Sequence, residues 1–172
     1  MNGLRKILLL CVSSLVSVCS LAQVEVGGWR VRASFNNVQK VAQSADRVFG
    51  VSDGSLFHFD KKDYEVETLS KVEGLNGANV ALVTYAEKAK TLVIAYTDGN
   101  IDLLYDDGSI KNVPDIKNSS VSADKNPSEL VYDPSTGNVY IAGEIGIIVF
   151  NPTKKEISDT YIIGDGGTYL SV

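Results

Sequence analysis

Few side chains in this chain could do chemistry, and their spacing sets the limits. His58 is the only histidine, so neither a histidine-bearing zinc site nor a Ser-His-Asp triad can be assembled. It falls in mid-strand and is expected to be an ordinary exposed or half-buried residue. Paired carboxylates occur at Asp106-Asp107 and near Asp159, but they flank turns and lack a basic or nucleophilic companion. Asp102, a lone acid among apolar neighbours, is expected to be turn-facing or outer. Oxygen-rich loops suit calcium, and Tyr105–Ser109 and Gly164–Gly167 carry the right atoms. Neither has the regular ligand spacing of an EF-hand loop, and tight turns account for both. Gly164–Gly167 also lacks the strand-to-helix setting and Lys-Ser/Thr ending of a phosphate loop. No catalytic residue, metal ligand or cofactor-binding residue is therefore assigned, and no enzyme or cofactor is expected. Trp29, the only tryptophan, reads as an aromatic packed on the first repeat.

The elements that must position these residues recur. Val48–Phe57, Val93–Asp102 and Tyr140–Val149 each place an apolar strand pair around a glycine. Aligned on Gly54, Gly99 and Gly146, they repeat about every 45 residues, the period of a β-propeller blade. Within the first repeat the expected strands are Val38–Ala42, Arg47–Val51, Ser55–Asp60 and Tyr64–Ser70. Asp53-Gly54 between the second and third is a strong hairpin signal, because glycine accepts positive φ and aspartate tolerates it. The second repeat follows with Val80–Tyr85, a polar turn over Glu87–Lys90, Thr91–Tyr96, Asn100–Tyr105 and Ile110–Val113. The third follows with Glu129–Tyr132, Asn138–Ala142, Ile147–Phe150 and Lys155–Ile163.

Leu92–Ala95 and Ile147–Phe150 are nearly continuous apolar runs, as expected where neighbouring blades cover both faces of a sheet. Asn118–Asn126, rich in serine, is the expected flexible connection. Its sequon Asn118-Ser119-Ser120 would accept a glycan only in a eukaryotic secretory pathway. The fold class is thus all-β, with about three four-stranded blades of an incomplete propeller.

Residues 1–22 read as a signal peptide: Arg5 and Lys6, an apolar stretch Ile7–Val18, then Ser20-Leu21-Ala22 before cleavage. Lipidation at Cys19 is the rival, against which stands Val18 where a small residue belongs. Both cysteines, Cys11 and Cys19, lie in this leader, so residues 23–172 can form neither disulfides nor thiol chemistry. Loss of Arg5 and Lys6 makes the remainder more acidic than the whole chain at −5. An acidic surface argues against nucleic acid and against electrostatic docking to an anionic membrane. Closed propellers carry about four to eight blades, and Tyr169–Val172 reads as the start of another strand. Residues 23–172 are therefore expected to be a partial β-propeller, the front part of a longer protein.

Leu69–Gly77, Lys90–Tyr96, Gly99–Leu103, Arg47–Phe57 and Gly146–Phe150 together resemble the PorZ family, amino-terminal propellers of the type IX secretion system of Bacteroidetes. A Gly-Leu-(Asn/Ser) opening, here Gly74-Leu75-Asn76, also occurs in periplasmic sensor propellers of hybrid two-component regulators. Those usually carry a Leu-Trp-Ile-Gly-Thr strand, where this chain has Leu92-Val93-Ile94-Ala95-Tyr96. The resemblance implies two propellers and a small carboxy-terminal β-domain at the outer-membrane cell surface, in an attachment complex with the sortase PorU and with PorV and PorQ. It implies a role in supplying anionic lipopolysaccharide to that sortase. No individual residue is carried over, since the matched motifs are blade framework. The alternative is a periplasmic ligand-sensing propeller of a regulator. An enzymatic propeller would need acids or histidines clustered near its inner strands, which mostly lack them.

Overall fold

The structure, a computed structural model, describes residues 35–162. The leader, Trp29, Gly164–Gly167 and Tyr169–Val172 lie outside the described residues. Twelve strands form three four-stranded antiparallel meanders. Blade 1 holds β1 (Val38–Gln43), β2 (Arg47–Ser52), β3 (Ser55–Asp60) and β4 (Val66–Leu69). Blade 2 holds β5 (Val80–Ala86), β6 (Thr91–Tyr96), β7 (Ile101–Tyr105) and β8 (Ile110–Val113). Blade 3 holds β9 (Pro127–Tyr132), β10 (Val139–Gly143), β11 (Gly146–Asn151) and β12 (Glu156–Tyr161). β5 packs against β1 on one side and β9 on the other, so the first strands of the blades stand together. This is an incomplete β-propeller.

Blade 2 shows why the repeat stacks. In β6, Leu92, Ile94 and Tyr96 face blade 1, joining Phe49, Val51 and Leu56. Val93 and Ala95 point the other way, joining Leu130, Val139, Ile141 and Phe150 of blade 3. A side-chain period of two thus makes both faces of one strand core. Each fully buried aliphatic side chain contributes about 1.5–3 kcal/mol. The outward faces of blades 1 and 3 keep exposed apolar residues, among them Val41, Val66, Val131 and Tyr161.

Ladder register corrects the alignment on glycine. β2 and β3 close at Ser52↔Ser55 around Asp53-Gly54, both at positive φ (49° and 77°), the geometry of a type I′ turn. β6 and β7 are joined by the longer connection Thr97–Asn100, in which the Tyr96 N–H donates to the Asn100 carbonyl at 3.0 Å and Gly99 has φ 80°. In blade 3 the connection is Glu144-Ile145, and Gly146 is already the first residue of β11, paired with Gly143. Gly146 keeps φ 117° there, and a Cβ would collide with the Tyr161 carbonyl. By register, then, Gly146 corresponds to Ser55 and Asn100, not to the turn glycines. A second marker agrees: every first strand has an irregularity at the same level, at Gln39, Ala81 and Ser128.

Short helical pieces interrupt the expected loops. The polar turn after β5 is a 3₁₀ turn over Glu87–Ala89, and a one-turn helix α1 spans Asp115–Asn118. The serine-rich segment that follows is tied down by Lys125, whose ammonium donates to the Lys117 and Ser119 carbonyls at 2.8 Å each.

Candidate functional site

The third strand of each blade presents one residue to the segment that enters that blade. Register makes Phe57, Asp102 and Ile148 equivalent, opposite Gly50, Ile94 and Ile141. Each solves the same packing problem differently. In blade 1 the Phe57 ring covers Gly50, where a Cβ would lie 2.3 Å from the ring, and Phe35 packs on it with centroids 4.5 Å apart.

In blade 2 the residue is a carboxylate. Asp102 is fully buried, against the expectation of an outer or turn-facing acid. Its Oδ2 accepts from the Asn76 backbone N–H at 2.7 Å and from the Tyr96 hydroxyl at 2.7 Å. Its Oδ1 accepts from the side-chain amides of Asn76 at 3.0 Å and Asn112 at 2.7 Å. Four donors occupy about four lone-pair sites, so no acceptor capacity is left for a ligand. The Asn112 amide also reaches Asn100 Oδ1 at 2.9 Å. Burial, and then the bond to Asp102, push the Tyr96 phenol above its ordinary value, keeping it a neutral donor. Asp102 therefore pins Gly74-Leu75-Asn76 onto blade 2, with Leu75 buried between blades. Its chemistry is that of a clamp. The Gly-Leu-Asn motif was visible in the sequence, but its partner lies 26 residues away and nothing local links them.

In blade 3 the residue is Ile148, and the entering segment is not clamped in this way. A groove of about 670 Å³ opens there, between α1 with the chain that follows it and β12. Ile116, Ile145, Ile148 and Ile157 line it, with Ser119 and Ser158 beside them. Such a wall receives aliphatic groups, and the charged side chains of Asp115, Lys154 and Glu156 are also part of its lining. Sequence reading assigned nothing to this groove. Only the tertiary approach of α1 to β12 creates it.

Several other titratable residues have structural partners. His58 is buried, at 6% exposure, not exposed or half-buried as expected, because it faces blade 2 beside Phe49. Burial, then the Arg47 guanidinium, holds its pKa below the ordinary value, against Glu67 and two aspartates that raise it. Asp106 accepts from the Tyr85 hydroxyl at 2.9 Å, and Asp107 from the Ser109 N–H and hydroxyl. Burial, then the bond to Asp106, pushes the Tyr85 phenol up to about 12. Asp133 accepts from Ser135 and Thr136, which hold its carboxyl down to about 2. Among the described residues, no three His, Cys, Asp or Glu side chains converge as a metal site, and no helix is long and apolar enough to cross a membrane.

Comparison with known proteins places these features. The family model described as the amino-terminal β-propeller domain of PorZ, type IX secretion system, matches residues 48–172. A solved structure of PorZ from Porphyromonas gingivalis, described as an essential bacterial surface component of that system, matches at 31% identity with a TM-score of 0.67. That match covers 72% of this chain and 16% of PorZ, so the chain spans a small part of its relative's length. An extracellular domain assigned to a hybrid two-component system of B. thetaiotaomicron matches at 16% identity and TM-score 0.58, over 79% of this chain and 17% of that one. Apo AztD from Citrobacter koseri matches at 16% identity and TM-score 0.55, over 76% and 35%. These last two share the fold alone. No curated protein matches at a significant level.

Proposed function

Since the chain belongs to the family of PorZ amino-terminal β-propeller domains of the type IX secretion system, we propose that it is exported and works by binding and scaffolding within the attachment machinery, without catalysis. In this reading the leader, residues 1–22, is removed on export, and residues 23–172 form part of a propeller at the outer-membrane surface. The propeller helps present anionic lipopolysaccharide to the sortase PorU, alongside PorV and PorQ. The observation that carries the reading is the family match along residues 48–172, which runs through all three blades. The site geometry supports it, because the buried acid of blade 2 is spent on holding the framework. A framework of this kind offers grooves and faces for partners.

The test is fractionation of the source cells, with an antibody against residues 35–162, followed by affinity capture from the positive fraction. Recovery in the outer membrane together with the sortase is the expected result. Recovery in the inner membrane with a sensor kinase would replace this reading with the two-component sensor. Loss of lipopolysaccharide-linked cargo in a deletion strain then tests the delivery role separately.

A further inference from the structure

His58 lies where blade 1 meets blade 2. It stands opposite Phe49 in the β2–β3 ladder and opposite Glu67 in the β3–β4 ladder. Its register equivalents in the other blades are Leu103 and Val149, both apolar and buried. An imidazole therefore occupies a position that the fold otherwise fills with aliphatic core. Its two nitrogens differ sharply. Nε2 approaches Glu67 Oε2 at 3.5 Å, and Glu67 is well exposed, with 65% of its side chain accessible. Among the described residues, nothing hydrogen-bonds to the buried Nδ1. A neutral ring tolerates this arrangement, with the proton on Nε2 and Nδ1 as a bare acceptor. A charged ring does not, because protonation puts a second N–H at Nδ1, where nothing accepts it.

The surroundings oppose that charge only in part. Arg47 of β2 stands on the same side, paired with Asp60 at 3.8 Å. Asp63 follows β3, and Glu67 lies on β4. From blade 2, Tyr85 and Asp106 line the same crevice as Arg47, Phe49 and Asp60, and the Tyr85 hydroxyl is bonded to Asp106.

We propose that His58 is a proton-operated release for the boundary between blades 1 and 2. The neutral imidazole keeps the boundary closed, and the imidazolium relieves its orphaned Nδ1–H by turning toward water and loosening the contact. The acid side of the transition is the open side. A histidine whose proton affinity is lower when closed than when open loses stability as pH falls from about 6.5 to its closed-state pKa, and no further below it. Carboxylates with lowered pKa values, such as Asp133, act at lower pH, so the two effects separate.

With one histidine in the chain, a ¹⁵N-edited NMR titration of the purified protein reports His58 alone. The expected result is a midpoint below about 6.5, the value of a free imidazole. Amide exchange in β2, β3 and β5, corrected for intrinsic rates, should quicken on acidification. The increase should reach about tenfold for each pH unit by which the midpoint lies below the free value. His58→Gln should abolish this acid dependence below about pH 6.5. Glu67→Gln should move the midpoint lower still, since it removes the attraction for the charged ring. A midpoint at or above the free value, or unchanged acid dependence in His58→Gln, overturns the proposal.

Discussion

Asp102→Ala removes the clamp of blade 2 and strands every group it holds. Four donors lose their acceptor: the Asn76 N–H, the Asn76 and Asn112 amides, and the Tyr96 hydroxyl. A hydrogen bond to a charged acceptor is worth about 1.5–3 kcal/mol, and a buried donor left unsatisfied costs about 1–3 kcal/mol. These terms overlap and Asn76 can turn to water, so the expected loss is about 4 kcal/mol, among the largest single-residue effects. Asp102→Asn is milder and more instructive. Its amide keeps one acceptor oxygen but turns a donor toward two existing donors. With the oxygen left for the rigid Asn76 N–H, the side-chain amides must rearrange, at about 2 kcal/mol. Urea unfolding followed by far-ultraviolet circular dichroism measures both, provided m stays constant. Hydrogen exchange adds a local readout, because the Asn76 amide and its neighbours should lose protection first. An Asp102→Ala variant within 1 kcal/mol of the parent, with the Asn76 amide still protected, would refute the clamp.

Three further outcomes follow from the same geometry. Ile148→Asp puts a carboxylate at the equivalent position of blade 3, beside Ile116, Ile145 and Ile157 and without the amide donors that hold Asp102, and should cost about 3 kcal/mol by urea unfolding. Gly77→Ala brings a Cβ within 2.3 Å of the Tyr96 ring and should destabilise by about 1–3 kcal/mol through overpacking, and a double-mutant cycle with Tyr96→Leu should show the two changes costing less together than their sum. Asp133, held at about 2 by Ser135 and Thr136, contributes stability that is complete above its ordinary pKa of 3.8 and lost as pH falls through about 2. Asp133→Asn should flatten that part of the acid-unfolding curve, and a carboxyl of Asp133 titrating near 4 by ¹³C NMR would contradict the hydrogen-bonded turn.

Much of this molecule is legible in the order of its residues. Ser55–Asp60, Thr91–Tyr96 and Ile110–Val113 fall on the expected bounds, and most other strands differ by one or two residues. These elements rest on local causes. Alternating or continuous apolar runs need a covered sheet, and Asp53-Gly54 accepts the positive φ of a tight hairpin. The propeller class follows from the period alone, because a lone blade cannot bury both faces. What the sequence could not fix is which polar residue meets which. Asp102 reads as an outer acid until Gly74-Leu75-Asn76 folds back to supply its donors. His58 reads as exposed or half-buried until blade 2 closes over Phe49. Gly146 reads as a turn glycine until the ladder shows it inside β11, against the Tyr161 carbonyl. Burial of a polar side chain depends on partners brought close only by stacking, and the groove beside Ile148 exists only because α1 and β12 approach without filling the space between them. Local pattern sets the strands, and long-range packing decides which charges can be buried and where a cavity is left.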